Sequence, residues 1–495
     1  MRKIIIKISI LFIIAMASGC KDYLDLPPKN QRAVASLSDV ESVLAGYLDA
    51  FTRSNTQPIK GTMPIMTEAQ NMMFEAYSDN IDFEANFSQY VNVQNIHADE
   101  KFYANKLLYN DFTTMEQIWN NHYEVIGFLN ALIDECDELE GENEQEVKRV
   151  KGEMLVHRAY YIYKLQQYFA PMDKEDMGIP LYLHTGKEVM GVEMKRRPSS
   201  EVYSAIISDL NLALEYIDEA GKKSGFNIFY DKRFINNLLS QVYWFKAASS
   251  AKADSDYKNA ATHAKAAIEG VEMYVPKSLI EFQNIRRNLN PEYPSVYMQS
   301  VAFGTVAPIY GSTFDYLGFA PSNLKVSDDL RELFEEDEYR TEAYFNGPAL
   351  SSAWPDGMAN GQKYVRMNLF APEEAYLVLA ESLLHTGQQG QAMDVLNTFK
   401  AFRGASEKSG LSEEELQQEI INERRKEFFC DTDKRWIDLK RYKIGNIKRT
   451  LEFFGKEYTV EVTPGDFHST LPVPLSEIQE NPNIVPHEGW DPIVF

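Results

Sequence analysis

Tyr376-Leu377-Val378-Leu379-Ala380-Glu381-Ser382-Leu383-Leu384, followed by Gly387-Gln388-Gln389-Gly390 and then by Ala392 to Phe402, reads as two antiparallel helices joined by a tight turn. The first segment is almost entirely apolar or small, glycines bracket the reversal, and a small residue on the first helix admits the second one closely. A chain with several such pairs is an α-helical scaffold. Other segments agree. Ser38-Asp39-Val40-Glu41 reads as a capping box opening a helix to about Phe51, and Thr114-Met115-Glu116-Gln117 as a second box opening a helix to about Glu138. Leu155, Ala159, Ile162, Leu165 and Phe169 recur in steps of three and four, and Pro171 ends that helix. Val202, Ile206, Leu210, Ala213 and Ile217 repeat the spacing, with Gly221 behind them as a left-handed cap. Further helices are predicted at about 232–251, 256–269, 372–386, 388–402, 412–429 and 433–442.

The pair at 376–402 resembles a tetratricopeptide hairpin, but no strict repeat of about 34 residues runs through the chain. Irregular helical hairpins are expected rather than a regular solenoid. The stretches at about 55–110 and 271–370 are rich in Pro, Gly, Asn, Ser and aromatics and lack a sustained period. They are expected to be loops and insertions, where binding residues sit on a rigid scaffold. The 495 residues would suggest about three domains at roughly 150 residues each. The helical pattern points instead to one interwoven, mainly α scaffold. Its expected parts are a segment 1–19 removed on export, an N-terminal helical region over 20–230, and a C-terminal region over 231–495 that includes the insertion at about 271–370.

Charge narrows the partners. With 50 Lys+Arg against 73 Asp+Glu the net charge is −23, which argues against a sequence-independent grip on nucleic acid or an anionic membrane surface. A hydrophobic fraction of 44% and a charged fraction of 25% exclude disordered, collagen-like and polytopic membrane chains. The first twenty residues stand apart. Arg2, Lys3 and Lys7 precede the apolar run Ile8 to Ala17, an export signal too short and too early for a permanent membrane helix. It ends in Ala17-Ser18-Gly19-Cys20, which resembles the lipobox of bacterial lipoproteins; the alternative is an ordinary secretory signal with an incidental cysteine. The lipobox implies that Cys20 takes a diacylglyceryl group and becomes the first mature residue. Loss of Arg2, Lys3 and Lys7 then takes the net charge from −23 to −26. Cys136 and Cys430 remain, too few for a disulfide framework; one bridge or two buried thiols are the readings open.

A series of motifs extends over nearly the whole chain. Asp22-Tyr23-Leu24-Asp25-Leu26-Pro27-Pro28 follows the cysteine; Ile118-Trp119 comes with Tyr123, Ile126 and Asn130; Gly152-Glu153, Arg158-Ala159-Tyr160-Tyr161 and Ile179-Pro180-Leu181 follow. Then come Arg197-Pro198, Glu201-Val202-Tyr203 and Asp209-Leu210, then Glu423-Arg424-Arg425-Lys426-Glu427 and Arg435-Trp436-Ile437-Asp438-Leu439-Lys440-Arg441. Leu471-Pro472-Val473-Pro474, Glu477-Ile478 and Asn481-Pro482 close the series. In this order, behind a lipobox, they resemble the SusD/RagB family of surface lipoproteins. Cys430-Asp431-Thr432-Asp433-Lys434 departs from that pattern by about one extra residue before Arg435-Trp436, which puts the turn there in doubt but not the fold. The resemblance implies a SusD-like fold of tetratricopeptide-like hairpins with an irregular, loop-rich ligand face. It also implies a lipid-anchored protein at the outer membrane, facing the cell exterior. Such a protein binds a nutrient, usually an oligosaccharide or polysaccharide, for a SusC-like TonB-dependent transporter, without catalysis. A peptide-binding member of the same family and a periplasmic tetratricopeptide-type scaffold are the alternatives.

Enzyme motifs are missing: there is no G-x-S-x-G elbow, phosphate loop, G-x-G-x-x-G or H-E-x-x-H, so no catalytic residue and no cofactor is assigned. No two of the eight histidines share a helix face at ligand spacing, and the Asp173/Asp176 and Asp254/Asp256 turns lack the features of a calcium loop, so no metal site is assigned. Arg435, Asp438 and Arg441 at i, i+3 and i+6 suit an ion-pair lattice that locks Trp436 and Leu439. A sugar site needs an aromatic face for the C–H side of a pyranose and polar neighbours for its hydroxyls. Trp119, Trp244 and Trp436 lie in helical patterns and Trp490 in the C-terminal tail, whereas Trp354 stands in the turn-rich Ser351-Ser352-Ala353-Trp354-Pro355-Asp356-Gly357. Trp354 is therefore the leading ligand candidate, with Tyr77, Asn80, Phe83, Tyr310 and Tyr316, and with Phe319 and Asn323 beside them.

Overall fold

The computed structural model of the chain describes residues 34–51, 73–82, 104–105, 107–184, 194–221, 231–271, 300–301, 325–346, 349–350, 357–359, 362–364, 366–367, 372–429, 433–453 and 455–494. Its helices are α1 (Leu37–Phe51), α2 (Phe112–Glu138), α3 (Glu144–Phe169), α4 (Ser199–Ala220), α5 (Lys232–Lys246), α6 (Asp256–Ile268), α7 (Asp328–Arg331), α8 (Tyr339–Tyr344), α9 (Pro372–His385), α10 (Gln389–Ala401), α11 (Glu413–Glu427), α12 (Lys434–Tyr442) and α13 (Leu475–Glu480). Neighbours in sequence are mostly neighbours in space. Helix α2 packs on α3, α3 on α4, α4 on α5, α5 on α6, and α9 on α10 and α11.

Helix α6 packs directly on α9, although the stretch between Ile268 and Pro372 separates them in sequence. Small residues make the approach possible. Ala260, Ala264 and Ala267 on α6, Ala375 and Ala380 on α9, and Ala392 on α10 are all fully buried. The turn predicted between α9 and α10 is present, with Gly387 at φ 75°, where a side chain would be strained. Among the described residues the strands are three short pairs, β1 (Ser300–Val301) with β6 (Arg366–Met367), β2 (Phe345–Asn346) with β3 (Ala349–Leu350) and β4 (Gly357–Ala359) with β5 (Gln362–Tyr364), and one hairpin, β7 (Ile447–Phe453) with β8 (Lys456–Val462), turning at Gly455. That hairpin was not expected from sequence. Its inward face carries Ile447, Arg449 and Leu451, so a charge interrupts the apolar alternation.

Two of the expected caps are displaced. Helix α1 is capped by Ser36, whose hydroxyl accepts from Asp39 N (3.3 Å) and donates to the Asp39 carboxylate (2.8 Å). Glu41, the far end of the expected box, pairs instead with Arg149 on α3. Helix α2 is capped by Asp111, which accepts from Thr114 N at 3.3 Å. In each case an acceptor just upstream reaches the free N–H groups first. A reciprocal box does form at Ser412, which accepts from Glu415 N (3.2 Å) while its own N–H donates to Glu415 (2.8 Å). Helix α5 stops at Lys246 rather than near 251, because Lys246 Nζ holds the Asp256 carboxylate (2.7 and 3.0 Å) and folds the chain back into α6.

The core contains charge. Arg340, with no exposed surface, donates to Glu338 (2.7 Å), Glu423 (2.8 Å) and Glu427 (3.0 Å). Arg403 joins Glu427 to Glu373, and Lys426 joins Glu338 to Glu423. Arg424 holds Asp438 (3.0 Å), Lys434 holds Glu374 (2.6 Å), and Arg441 holds Glu381 (2.7 Å). Lys164 on α3 holds Asp433 at 2.8 Å, and Tyr168 donates to the same carboxylate at 2.6 Å. Trp244 is set into this lattice: its indole N–H donates to Glu381 at 2.7 Å, and the Arg424 and Arg441 guanidinium carbons lie 4.4 and 3.7 Å from its ring centroid. Trp119, Trp244 and Trp436 are all buried, as their helical settings suggested.

Burial alone would raise the Glu423 carboxyl, yet Arg340, Lys426 and Lys400 bring it down to about 2. For Asp433 burial likewise pushes upward, and Lys164 and Lys434 with the hydrogen bonds from Lys164 and Tyr168 bring it to about 2. Both carboxyls lie below their unfolded values, so their stabilisation is complete above about pH 4.5 and is lost as pH falls toward about 2. Urea midpoints at pH 6 and pH 3 check this: Glu423→Gln will lower the midpoint at pH 6, with the gap to the parent narrowing at pH 3. Arg340→Met leaves a cluster of buried carboxylates underpaired and is expected to cost about 3–5 kcal/mol in the same measurement.

Candidate functional site

Residues 73–82 begin as a helical turn and end in the turn Tyr77 to Asn80. Three arginines from three different elements grip it. Arg435 on α12 makes a two-pronged contact with the Asp79 carboxylate, Nε to Oδ1 at 2.6 Å and Nη2 to Oδ2 at 2.7 Å, between residues 356 positions apart in sequence. Arg425 on α11 donates to Asp79 O (2.9 Å) and to Asn80 Oδ1 (3.2 Å), and its charge lies 3.4 Å from Asp79 Oδ1. Arg449 on β7 donates to Ser78 O (2.9 Å) and Leu107 O (3.0 Å). A fork-shaped cation on a carboxylate fixes orientation as well as distance.

The same turn joins a second segment. Asp82 N donates to Lys325 O (3.1 Å), Ser327 N donates to Asn80 O (2.9 Å), and Ile81 and Val326 form an antiparallel bridge. Lys325 pairs with Asp82 at 3.0 Å, and Arg425 also reaches the Ser327 hydroxyl (3.4 Å). Asp82 and Lys325, far apart in sequence, thus lie side by side. Gly445 lies against this point with φ 86°, and a Cβ there would meet Leu439 at 2.7 Å.

Electrostatics at the point are unequal. Burial pushes the Asp79 carboxyl up, but Arg435 and Arg425 outweigh it and hold the group below the usual carboxylate range. Glu75, one helical turn earlier, goes the other way: burial, helped by Asp79, raises it to about 7 against the opposing pull of Asn80, Arg425 and Arg435. Nearby, Lys440 donates to Gln167 O (2.6 Å) and Ala170 O (2.9 Å) at the end of α3, and burial brings its amine down to about 7.

Of the ligand candidates, Tyr77 and Asn80 lie inside this frame. The Tyr77 ring stacks on Tyr109 (4.2 Å, 14°), its hydroxyl accepts from Asp111 N (3.3 Å), and it borders a cavity of about 20 Å³ shared with Trp436, Lys440 and His468, room for one water. Asn80 is fully buried. A stacking platform has to expose a ring face, and neither residue offers one to solvent. Trp354, Phe83, Tyr310 and Tyr316, with Phe319, Asn323, Cys20 and Cys430, lie outside the described residues. Cys136 is a buried free thiol on α2.

The Arg435, Asp438 and Arg441 lattice exists, but its partners come from other elements: Asp79, Arg424 and Glu381. Asp256 is engaged by Lys246 and by Ala253 N (2.7 Å), a structural turn. Among the described residues no group of His, Cys, Asp and Glu is placed to hold a metal, and no helix is long and apolar enough to cross a membrane. Sequence reasoning missed Asp79; its only signal was an acidic residue in a turn-rich stretch, with nothing to mark its distant partners.

Two family profiles match the chain. One, described as starch-binding and associating with the outer membrane, covers residues 22–243, and the other, described as the SusD family, covers residues 372–490. The chain is 24% identical over 441 residues to SusD-like protein P2 of Formosa agariphila, spanning 74% of this chain and 79% of that one. The fold matches the crystal structure of a SusD-like carbohydrate binding protein from Bacteroides vulgatus with a TM-score of 0.66 at 19% identity, over 91% of this chain and 97% of the other. It matches a SusD superfamily protein of the same organism with a TM-score of 0.67 at 16% identity, over 92% and 99%. The chain belongs to the SusD/RagB family.

Because Glu75 is raised to about 7 from an ordinary value of 4.5, its contribution to stability is complete below pH 4.5 and is lost as pH rises through 7. Glu75→Gln removes that loss. It is expected to leave the urea midpoint nearly unchanged at pH 4.5 and to stabilise the protein by about 1–3 kcal/mol at pH 8.

Proposed function

We propose that this protein is a cell-surface lipoprotein, anchored through Cys20, that binds an oligosaccharide or polysaccharide and hands it to a SusC-like TonB-dependent transporter. The observation that carries the reading is membership of the SusD/RagB family in a chain whose export signal ends in Ala17-Ser18-Gly19-Cys20. The scaffold suits binding without catalysis. Glu381, Glu423, Asp433 and Asp438 are buried in structural pairs, and we assign Trp354, Phe83, Tyr310 and Tyr316 as the rings that stack on a pyranose. On this reading Tyr77 and Asn80 are structural residues rather than ligand contacts.

Affinity electrophoresis of the mature protein through gels containing soluble starch, laminarin, pullulan or xylan tests the binding. Retardation in at least one gel is expected, without release of reducing sugar; free migration in all of them, together with binding of peptides, would reassign the protein to peptide capture. Trp354→Ala is expected to weaken the retarding interaction by about 1–3 kcal/mol at unchanged melting temperature. Protease shaving of intact cells checks the location, since a periplasmic scaffold would be spared.

A further inference from the structure

We propose that the surface where the C-terminal tail crosses the start of α2 is a docking face for a protein partner that presents apolar side chains rimmed by Lys or Arg. The proposal rests on the delivery reading above, which makes the SusC-like transporter its occupant. Among the described residues four large apolar side chains are exposed, and three of them, Leu475, Val485 and Val494, lie in the last stretch of the chain. Leu475 is 67% exposed and Val494 83%. The half-buried Phe112, Phe467, Trp490 and Ile493 join these two.

Contacts bring the six residues to one end of α2. The Ser476 hydroxyl donates to Glu116, one turn along the helix from Phe112. The Trp490 ring stands perpendicular to Phe112 at 6.0 Å and to Phe467 at 5.6 Å. Asn110, just before α2, clamps the tail at both backbone groups of one residue: its amide donates to Ile493 O (3.0 Å), and its carbonyl accepts from Ile493 N (2.8 Å). Gly489, at φ 103°, lets the tail lie against Phe467, whose ring a Cβ would meet at 2.8 Å. The Trp490 indole N–H is already taken by Thr470 O (2.9 Å). The tail is therefore fixed by backbone and polar groups, while apolar side chains beside those clamps stay at the surface. A preorganised apolar patch that includes a tryptophan is where a partner gains affinity at low entropic cost.

Charge selects the partner. No Lys or Arg occurs from Asn110 to Val147 or from Glu457 to Phe495, the two stretches that build the surface, whereas Glu116, Glu477, Glu488 and Asp491 belong to them. An anionic lipid surface, or the same face of a second copy, would bring like charge against these acids. Lys or Arg around an apolar centre meets them with opposite charge.

The test places the photo-crosslinker p-benzoylphenylalanine at Leu475, at Val494 and, as reference, at the exposed Val43 on α1, and irradiates intact cells that make the transporter. Leu475 and Val494 are each expected to capture the same TonB-dependent transporter, at a segment where Lys or Arg flanks apolar residues, with about tenfold less capture from Val43. Leu475→Asp and Asp491→Lys are each expected to lower the transporter recovered with the detergent-extracted protein by about tenfold. Melting temperature and retardation in the polysaccharide gels should not change. If Leu475→Asp does not fold, Asp491→Lys decides. Capture of lipid or of a second copy alone, no capture from either patch position, full recovery with both variants, or loss of polysaccharide retardation in place of transporter recovery would each overturn the docking face. A transporter captured from Val43 alone sinks this face and leaves the delivery reading standing. A different protein captured from both patch positions sinks the transporter as occupant, and the delivery reading with it.

Discussion

The buried pairing of α11 and α12 cations with carboxylates from other elements is the constraint on which this structure depends. Glu423, Glu427, Arg424, Arg425 and Lys426 come from one helix, and Lys434, Arg435, Asp438 and Arg441 from the next. Their partners lie on α9, the 73–82 turn and the segment around Arg340, and Asp433, just ahead of α12, pairs with Lys164 on α3. A buried ion pair gives little net stability over an apolar contact of the same shape, but a buried charge without its partner is costly. The lattice therefore selects one arrangement of the helices around α11 and α12 and penalises the others. Apolar packing of α5, α6 and α9 supplies the cohesion, and the charges supply the register.

The same two helices also reach the 73–82 turn. Arg424 and Arg441 point into the core around Trp244, whereas Arg425 and Arg435 point at Asp79 and Asn80. Residues of each motif thus divide between the core around Trp244 and the 73–82 turn.

The ten longer helices and the hairpin at 376–402 were legible in the sequence because period and turn chemistry are local, whereas the short α7, α8 and α13 were not expected. Caps were less so, because several acceptors stand within a few residues of each helix start and geometry chooses among them: Ser36 over Ser38, and Asp111 over Thr114. The β7–β8 hairpin was hidden by Arg449, a charge on its inward face that satisfies distant carbonyls. Asp79 was hidden for a related reason. Its partners lie at the other end of the chain, and no local pattern records an ion pair across 356 positions. Loop aromatics were recognisable by composition, yet composition does not separate a ring that props a turn, such as Tyr77, from one that faces a ligand.

Direct packing of α6 on α9 has a consequence for how such a protein can change. The stretch between Ile268 and Pro372 joins two helices that pack on each other, and within it Lys325 to Asn346 is tied back to the scaffold through Ser327 and Arg340. The entropy of closing a long flexible loop grows only logarithmically, by about 0.6 kcal/mol for each doubling of length. Changes of length outside Lys325 to Asn346 therefore cost the helix stack little, whereas loss of Arg340 leaves its buried carboxylates underpaired. The contact between α6 and α9 and the Arg340 pairs are the two boundaries that such a change has to leave in place.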